Sequence, residues 1–502
     1  MSSNSVDTMS PIEVVIVGLG PTGATLANIL GGYGINVLVL EREESIYPLP
    51  RAVHFDDEAM RVFQSVGLAG QIDPKVRVNC GTRFVDKNQD LLLDWPRPQD
   101  IGPLGWYPSY RFHQPDLEAD LNDGLARQDS VTVLRGCTVT DIVQDNDGAI
   151  ISWKQNGKPS QVRADFVVGA DGARSVVRHS FDCDWEDLGF KERWLVVDVQ
   201  LTADRSDLGD FTIQTCDRAR PTTYVRCPRE WRRWEISLHD HERDEDVVGD
   251  DFIWPHMRPS ITPDEGRIVR RAVYNFESKL SDKWRDRRCF IAGDAAHLMP
   301  PFLGQGMCAG VRDVANLGWK LAAVLRWNAP DALLDTYERE RRPHTRVYIE
   351  TAVNVGRMMN NAETAETLTH AINPDGSAQM KSISRGLAHA MGPADGHLAG
   401  ARMPQPVLAD GRRLSDAMAG RFAVIAGRDA LADHADHLPD DASAIILDAD
   451  AHEALADLLE IQGVSALAIR PDFYCYGGVQ GGDAAAIAPF FSDLRAQISS
   501  TA

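Results

Sequence analysis

The chain is 502 residues long, enough for roughly two to four domains, and its 43% hydrophobic and 25% charged residues are ordinary for a globular protein. A formal net charge of −21 argues against a nucleic-acid or anionic-membrane partner, because attraction to phosphate needs a basic surface. The eight cysteines (Cys80, Cys137, Cys183, Cys216, Cys227, Cys289, Cys308, Cys475) form no CxxC pair and no Cys/His group at zinc spacing, which reads as reduced thiols in a cytoplasmic protein without a metal site.

The first elements lie in VVIVGLGPTGATLANILGGYGINVLVLERE, residues 14–43, with no charge between Glu13 and Glu41. Its length would cross a bilayer, but Gly18, Gly20, Pro21, Gly23, Gly31, Gly32 and Gly34 break it and basic flanks are missing, so a membrane span is set aside. The preceding MSSNSVDTMSPIE lacks the positively charged start of a signal peptide. The stretch reads as a strand over 12–17, a glycine turn, a helix over 22–31 and a second strand over 36–41, which is a βαβ unit. Within it, Gly18-Leu19-Gly20-Pro21-Thr22-Gly23 fits GxGxxG between a strand and a helix. Gly18 allows the tight turn, Gly20 lets a pyrophosphate approach the backbone and Gly23 lets the helix pack closely. The helix amino terminus offers free amides to phosphate. Glu41, 23 positions beyond Gly18, ends the second strand, where a carboxylate accepts hydrogen bonds from a ribose diol. Glycines serving only tight packing are the plain alternative, and the motif alone does not separate NAD from FAD.

Further along, ADFVVGADGARSVVR (164–178) reads as an apolar strand entering Asp171-Gly172 and then a helix with Arg174 and Arg178. FTIQTCDRARPTTYVRC and RRWEISLHD alternate as strands. His239-Asp240-His241-Glu242 has the composition of a metal cluster but no identifiable third ligand, so it reads as a solvated loop. In RCFIAGDAAHLMPPFLGQGMCAGVRDVANLGWKLAAVL (288–325), a strand over 289–292 delivers Gly293-Asp294. The turn Leu303-Gly304-Gln305-Gly306 then opens a helix with Val314, Leu317, Leu321, Val324 and Leu325 at helical spacing. Asp294 suits the ribitol hydroxyls of a flavin, or else a helix cap. Amides after Gly306 suit the pyrimidine end of the flavin ring, where negative charge collects on reduction. Both stretches favour FAD. His297 in the GDAAH turn reads as structural. A Gly/Pro/Ala-rich stretch near 390–406 is a linker, and the tail alternates FAVIA, AIILD and AHEALADLLEIQ as a small α/β unit.

These motifs, with the following LLDTYERERRPH, resemble the class A single-component FAD-dependent aromatic hydroxylases of the phenol and p-hydroxybenzoate hydroxylase superfamily. PRAVHFDDEAMRVFQSVGL (50–68), CDRARPTTYV (216–225) and the tail are similar to the 3-(3-hydroxyphenyl)propionate hydroxylase branch. The resemblance implies an α/β protein with a discontinuous, Rossmann-like FAD-binding domain over 11–75, 113–183 and 280–390. An α+β substrate domain built on a β-sheet interleaves with it over 76–112 and 184–279. A linker over 391–406 leads to a thioredoxin-like domain over 407–502 that lacks CxxC and serves packing or dimerisation.

The resemblance further implies an NADH- or NADPH-consuming monooxygenase of aromatic catabolism. Such enzymes reduce FAD, trap dioxygen as a flavin hydroperoxide and hydroxylate a phenolic ring ortho or para to its hydroxyl. FAD contacts are implied for Gly18, Gly20, Pro21, Thr22, Gly23, Glu41, Arg42, Arg51, Gln114, Asp171, Asp294, Pro301, Gly304, Gln305, Gly306 and Met307. His54, three positions after Arg51, would face the ring cavity, where an imidazole accepts a phenolic proton or holds a substrate anion. Catalytic roles are thus expected for His54, Arg51 and Tyr224, and substrate contacts for His54, Gln214, Tyr224, Trp234 and Pro300. Asp56, Tyr110, Arg111 and Arg218 are further pocket candidates. A homodimer stays open, as do a related flavoenzyme acting on a heteroaromatic or polyketide-type substrate and a non-catalytic flavin-binding protein. The WxWxIP motif of halogenases is absent.

Overall fold

The computed structural model describes residues 11–258, 260–361, 385–393 and 396–499. The segment before residue 11, residues 362–384 of the expected third FAD segment and residues 394–395 of the expected linker lie outside the described residues. The protein is α/β, with three larger sheets and one small one.

The first sheet is parallel at its centre. Its order is Cys289–Ile291, Lys158–Gly169, Ile12–Val17, Val37–Leu40, Val131–Leu134, with Val15 opposite both Leu38 and Val167. Past Glu13, the strand Ile12–Val17 is apolar and buried, as is all of Val37–Leu40, because helices cover the sheet and alternation disappears. The helix Pro21–Gly32 starts with Gly20 as its cap and a proline at its first position, which gives up only an amide that has no helical partner. It packs against the helices Gly306–Arg326 and Gln114–Leu125. The expected helix and strand thus appear within a residue or two of their expected ends.

The second sheet runs His297–Leu298, Gly266–Ser281, Trp185–Leu201, Trp231–Leu238, Thr222–Arg226, Thr212–Thr215, Gly81–Val85, Leu91–Pro96. One face is covered by the short helices Asp244–Val247 and Asp250–Met257 through Leu195, Val197, Ile236, Ile253 and Met257. The other face looks toward the turn Pro301–Leu303, where Trp194 meets Phe302 edge-on at 5.9 Å. A three-stranded sheet, His54–Asp56, Ser109–Arg111 and Arg77–Val78, bridges the two large sheets.

The carboxyl-terminal unit is a four-stranded mixed sheet in the order Ala444–Asp448, Phe422–Ala426, Val464–Ile469, Cys475–Gln480, the thioredoxin-like arrangement. It is joined to the central helices by buried charge. Arg470 donates to both carboxylate oxygens of Glu340 at 2.8 Å and to Asp472, while Lys320 reaches Glu340 at 2.7 Å. Arg470, Lys320 and Glu340 are fully buried, where the bidentate geometry and added hydrogen bonds offset desolvation. All eight cysteines are unpaired. Among the described residues no helix is long and apolar enough to cross a membrane.

Candidate active site

Three distant glycine motifs meet above the carboxyl ends of the parallel strands. Gly18 has φ +99°, and a Cβ there would run into the carbonyl of Ala170, next to Asp171. A Cβ at Gly23 would strike the carbonyl of Gly18, so the helix rests directly on the turn. Thr22 in turn fills the space that Cβ atoms at Gly293 and Gly310 would need, which brings the first motif against the Gly293-Asp294 turn and the helix Gly306–Arg326. Arg178 completes the junction by donating to the carbonyls of Ala295 and Ala173, both at 2.9 Å. By contrast, a Cβ at Gly20 would meet nothing within 4 Å, so this side of the turn is open to a pyrophosphate.

At the floor of this junction stands Asp294. Protein packed around its carboxyl pushes the pKa up, against the charges of His297 and Arg51, yet the residue presents open surface. Among the described residues its carboxylate has no hydrogen-bond or salt-bridge partner. An enclosed acid that meets open space and no donor suits a polyhydroxylated chain, and the residues present therefore fit an FAD. Glu41 is turned onto the glycine loop, accepting from the Leu19 amide at 2.6 Å and the Glu43 amide at 2.8 Å. Arg42 projects into solvent and pairs with Glu43 at 3.2 Å.

The loop bearing Arg51 is held by its backbone. Arg233 donates to the carbonyls of Arg51 (2.7 Å) and Pro50 (2.6 Å), and Arg270 also donates to Pro50; Asp198 pairs with both arginines. On the other side, the Gln114 carbonyl accepts from the amides of Arg51 (2.9 Å) and Ala52 (2.7 Å), while its amide donates to Glu118. Gln114 therefore clamps the loop. The Arg51 side chain itself is exposed, 4.9 Å over the Tyr47 ring, with its charge felt at Asp294.

Gly304 turns the chain with φ +63° into the helix Gly306–Arg326, whose first-turn amides have no helical acceptor. That end is available to negative charge. The side chain of Gln305 points inward instead, donating to Asp56 at 3.1 Å and accepting from Arg312 at 3.0 Å. Pro301 begins this turn, Pro300 is buried just before it, and Met307 is half-buried after it.

A Cβ on Gly304 would lie 2.9 Å from the Cβ of His54, so the imidazole lies directly against the turn. His54 Nδ1 is 3.0 Å from the Gly304 carbonyl and Nε2 is 2.7 Å from Ser109 Oγ. A carbonyl only accepts, so Nδ1 carries the proton and Nε2 accepts from the serine hydroxyl, which in turn accepts from Asn79 at 2.9 Å. Burial, then the charges of Arg97 and Arg111, hold the His54 pKa well below the ordinary range, so the ring is neutral. Register puts Arg111 directly opposite His54 and Arg77 directly opposite Arg111, on one face of the small sheet, and the Arg111 guanidinium donates to Thr212 at 2.6 Å. The alternate residues Phe55 and Tyr110 stack at 5.1 Å on the other face, in the core. Tyr110 is thus a core residue rather than a pocket residue.

Tyr224 and Trp234 differ from expectation, and the remaining positions lie as follows. Tyr224 and Trp234 are cross-strand neighbours with rings 5.1 Å apart, buried under the helix Asp250–Met257 on the face of the second sheet away from Gly304. Strand parity sends them there, since Ile213 pairs with Tyr224 while Thr212 and Gln214 lie on the opposite parity, where Thr212 meets Arg111. Gln214 is buried, accepting from Thr223 at 2.6 Å. Asp171 accepts from the Val176 amide at 2.7 Å, at the start of the short helix Val176–His179 that Ser175 caps. His297 pairs with Asp313 at 2.8 Å, and Asp313 also receives the Gly293 amide and Arg341, which gives His297 the expected structural place. His239 and His241 stack in an exposed turn with Glu242 tied to Arg220. Arg97, Ser109 and Asn79 were not anticipated; the alternation in HFD and SYR was the available signal for a shared polar face.

A profile described as FAD binding domain matches residues 11–352. The chain is 42% identical over 358 residues to a probable NADH-specific resorcinol 4-hydroxylase of Rhodococcus jostii (strain RHA1), covering 70% of this chain and 67% of that one. It is 40% identical over 353 residues to a 3-(3-hydroxy-phenyl)propionate/3-hydroxycinnamic acid hydroxylase of Mycolicibacterium smegmatis (strain ATCC 700084 / mc(2)155), covering 70% of this chain and 61% of that one. These matches take in about two thirds or less of the relatives' length. Among solved structures, the flavin-dependent monooxygenase PieE in complex with FAD and substrate superposes with a TM-score of 0.83 at 21% identity, covering 97% of this chain and 100% of that one. Aklavinone-11 hydroxylase with FAD and aklavinone gives 0.77 at 20% identity, with the same coverage; both are likenesses of fold.

Proposed function

The chain belongs to the FAD binding domain family of aromatic-ring hydroxylases, and from that premise we propose that it is an FAD-dependent monooxygenase that hydroxylates a phenolic substrate ortho or para to its hydroxyl, consuming NADH or NADPH and dioxygen. The observation that carries this reading is the meeting of the Gly18–Gly23, Asp171 and Gly293–Gly310 motifs around the carboxylate of Asp294, which has no partner among the described residues. Bound FAD would supply hydride acceptance and oxygen activation.

The chain's own residues do the rest. In this proposal the Gly20 to Gly23 amides and Arg51 hold the pyrophosphate, Glu41 the ribose, Asp294 the ribitol, and the amides of Gly306 and Met307 the pyrimidine end of the ring. Pro300 and Pro301 shape the edge of the ring site. His54 and Ser109 lie against Gly304, so a phenolic hydroxyl at Ser109 Oγ can pass its proton through the serine to His54 Nε2. Face-to-face packing of the second sheet on this turn keeps water out. We assign 11–75, 113–183 and 280–390 to cofactor binding, 76–112 and 184–279 to substrate binding, and 391–406 to the linker. The unit over 407–502 serves packing or dimerisation. With eight unpaired cysteines a reducing, cytoplasmic setting suits the protein.

The test is direct. Purified protein should show flavin absorbance, and phenols should stimulate NAD(P)H oxidation with hydroxylated product matching reductant consumed. Protein that stays colourless after reconstitution with FAD, or that yields only hydrogen peroxide with every phenol tried, would refute the proposal.

A further inference from the structure

We propose that a cavity between the carboxyl-terminal unit and the core of the protein binds one monatomic anion, a chloride, which Arg61 and Arg402 hold and which fastens the tail in place. The inference goes beyond the hydroxylase reading and does not depend on it.

The cavity, of about 20 Å³, lies where the helix Asp57–Ser65, the helix Gly306–Arg326 and the tail segments carrying Arg402 and Phe473-Tyr474 meet. Arg402 and Tyr474 are themselves paired across an isolated bridge. A space of that size admits a water-sized particle and little more, which leaves out phosphate and organic acids.

Two of the groups around it are cations with donors to spare. Arg61 is 1% exposed. Its Nε donates to Ser415 at 2.8 Å and its Nη1 to the Met403 carbonyl at 2.5 Å, both neutral acceptors, while Nη2 is buried without an acceptor. On Arg402, Nη1 is likewise buried without an acceptor. Among the described residues neither guanidinium has a carboxylate within salt-bridge distance. Arg312 and Arg470, by contrast, are neutralised, the first by Asp56 and Glu58 and the second by Glu340 and Asp472.

The acids lining the cavity are already engaged: Glu58 by Tyr474 and Arg312, Asp472 by Arg470 and Asn316. Asp57, which feels the Arg402 charge, is pushed up to about 7 by burial, Asp56 and Glu58, so near neutral pH it supplies only part of a counter-charge. Burial pushes Arg61 down to about 9, and Arg402 adds to that shift against Glu58 and Asp57. Cationic donors closed in by Val62, Leu104, Ala315 and Phe473 are costly unless a negative particle accepts from them. A water would have to place two hydrogens of its own, and the acceptors at hand are taken. A halide only accepts, carries the missing charge and fills the space with one atom.

Bromide is the crystallographic probe. Crystals of the full chain soaked in sodium bromide should show anomalous density beside Arg61 Nη2 and Arg402 Nη1. In solution, sodium gluconate is replaced stepwise by sodium chloride at constant ionic strength. The urea midpoint should then rise, each tenfold increase in chloride above its Kd adding an equal step, and limited proteolysis should release the tail more slowly. Arg402→Gln should remove both the chloride-dependent rise and the bromide density. Arg61 also holds Met403 and Ser415, so the Arg402 variant is the one that isolates the ion. If Arg402→Gln fails to fold, bromide density in the wild type decides the matter. Density without anomalous signal, which is a water, or bromide bound only elsewhere would overturn the site. So would a chloride dependence as large in Arg402→Gln as in the wild type.

Discussion

Tyr474, in the carboxyl-terminal unit, donates its hydroxyl to the carboxylate of Glu58 at 2.9 Å across a separation of 416 residues. Glu58 in turn accepts from Arg312 Nε at 2.7 Å, and Arg312 reaches both Asp56 and Gln305, the residue before Gly306. The tail is therefore wired to the turn proposed to face the flavin. Tyr474→Phe removes a hydrogen bond to a charged acceptor and should cost about 2 kcal/mol of stability in urea unfolding, together with a shift in the flavin absorbance bands. A variant as stable as the wild type with an unchanged spectrum would show that the path carries no energy.

Asp294→Ala removes a carboxylate that has no hydrogen-bond or salt-bridge partner among the described residues at the junction of the three motifs. The variant should fold, because no protein hydrogen bond is lost, and should purify with little FAD. Equilibrium dialysis against FAD is the measurement, and full occupancy at wild-type affinity would contradict the assignment.

Gly304→Ala places a methyl group 2.9 Å from the His54 Cβ in a backbone with φ +63°. The left-handed conformation alone costs an L-residue about 1–2 kcal/mol. The expected outcome is a destabilisation of about 2 kcal/mol or more, with reduced flavin content, read by denaturant unfolding and absorbance. An unaffected variant would mean that the turn relaxes freely away from the imidazole.

His54 gives a pH dependence with a definite sign. Its folded-state pKa is held well below the ordinary 6.5 by burial, Arg97, Arg111 and Arg312, against the opposing Gly304 carbonyl. As pH falls below 6.5 the unfolded chain takes up a proton that the folded chain refuses, so stability is lost on acidification, by roughly 1 kcal/mol per pH unit. His344, buried and held down to about 3, adds a similar slope. Urea unfolding from pH 7 to 5 should show the wild type losing about 1 kcal/mol per unit more than His54→Gln. Parallel curves would mean that His54 titrates normally.

Glu340→Gln leaves Arg470 and Lys320 facing each other without their shared counter-charge. Removing one partner of such a buried cluster costs about 3–5 kcal/mol. Limited proteolysis should detach or degrade the tail in the variant first. Wild-type resistance would show that apolar contacts alone hold the unit.

The sequence by itself determined the local devices: the βαβ unit with its glycine turn, Asp294 at a strand end, and the Gly304 to Met307 turn opening a long helix. Each is set by residues within a few positions of one another, where backbone sterics leave few conformations, so reading along the chain suffices. Tertiary structure alone decided which face of each strand meets the site. Because side chains alternate along a strand, Tyr224 and Trp234 look as eligible as Thr212 and Gln214 until packing selects a face, and it is Thr212 that meets Arg111. The same holds for pairing across distance. Ser109 meets His54 only through the register of the small sheet, Arg97 lies near it only because the end of the strand Leu91–Pro96 packs alongside, Gln114 becomes a clamp only because a loop 63 positions away lies against it, and Tyr474 reaches Glu58 only after the tail docks. No local periodicity encodes such contacts, since they are fixed by the energy of packing separate layers together rather than by the conformation of any one segment.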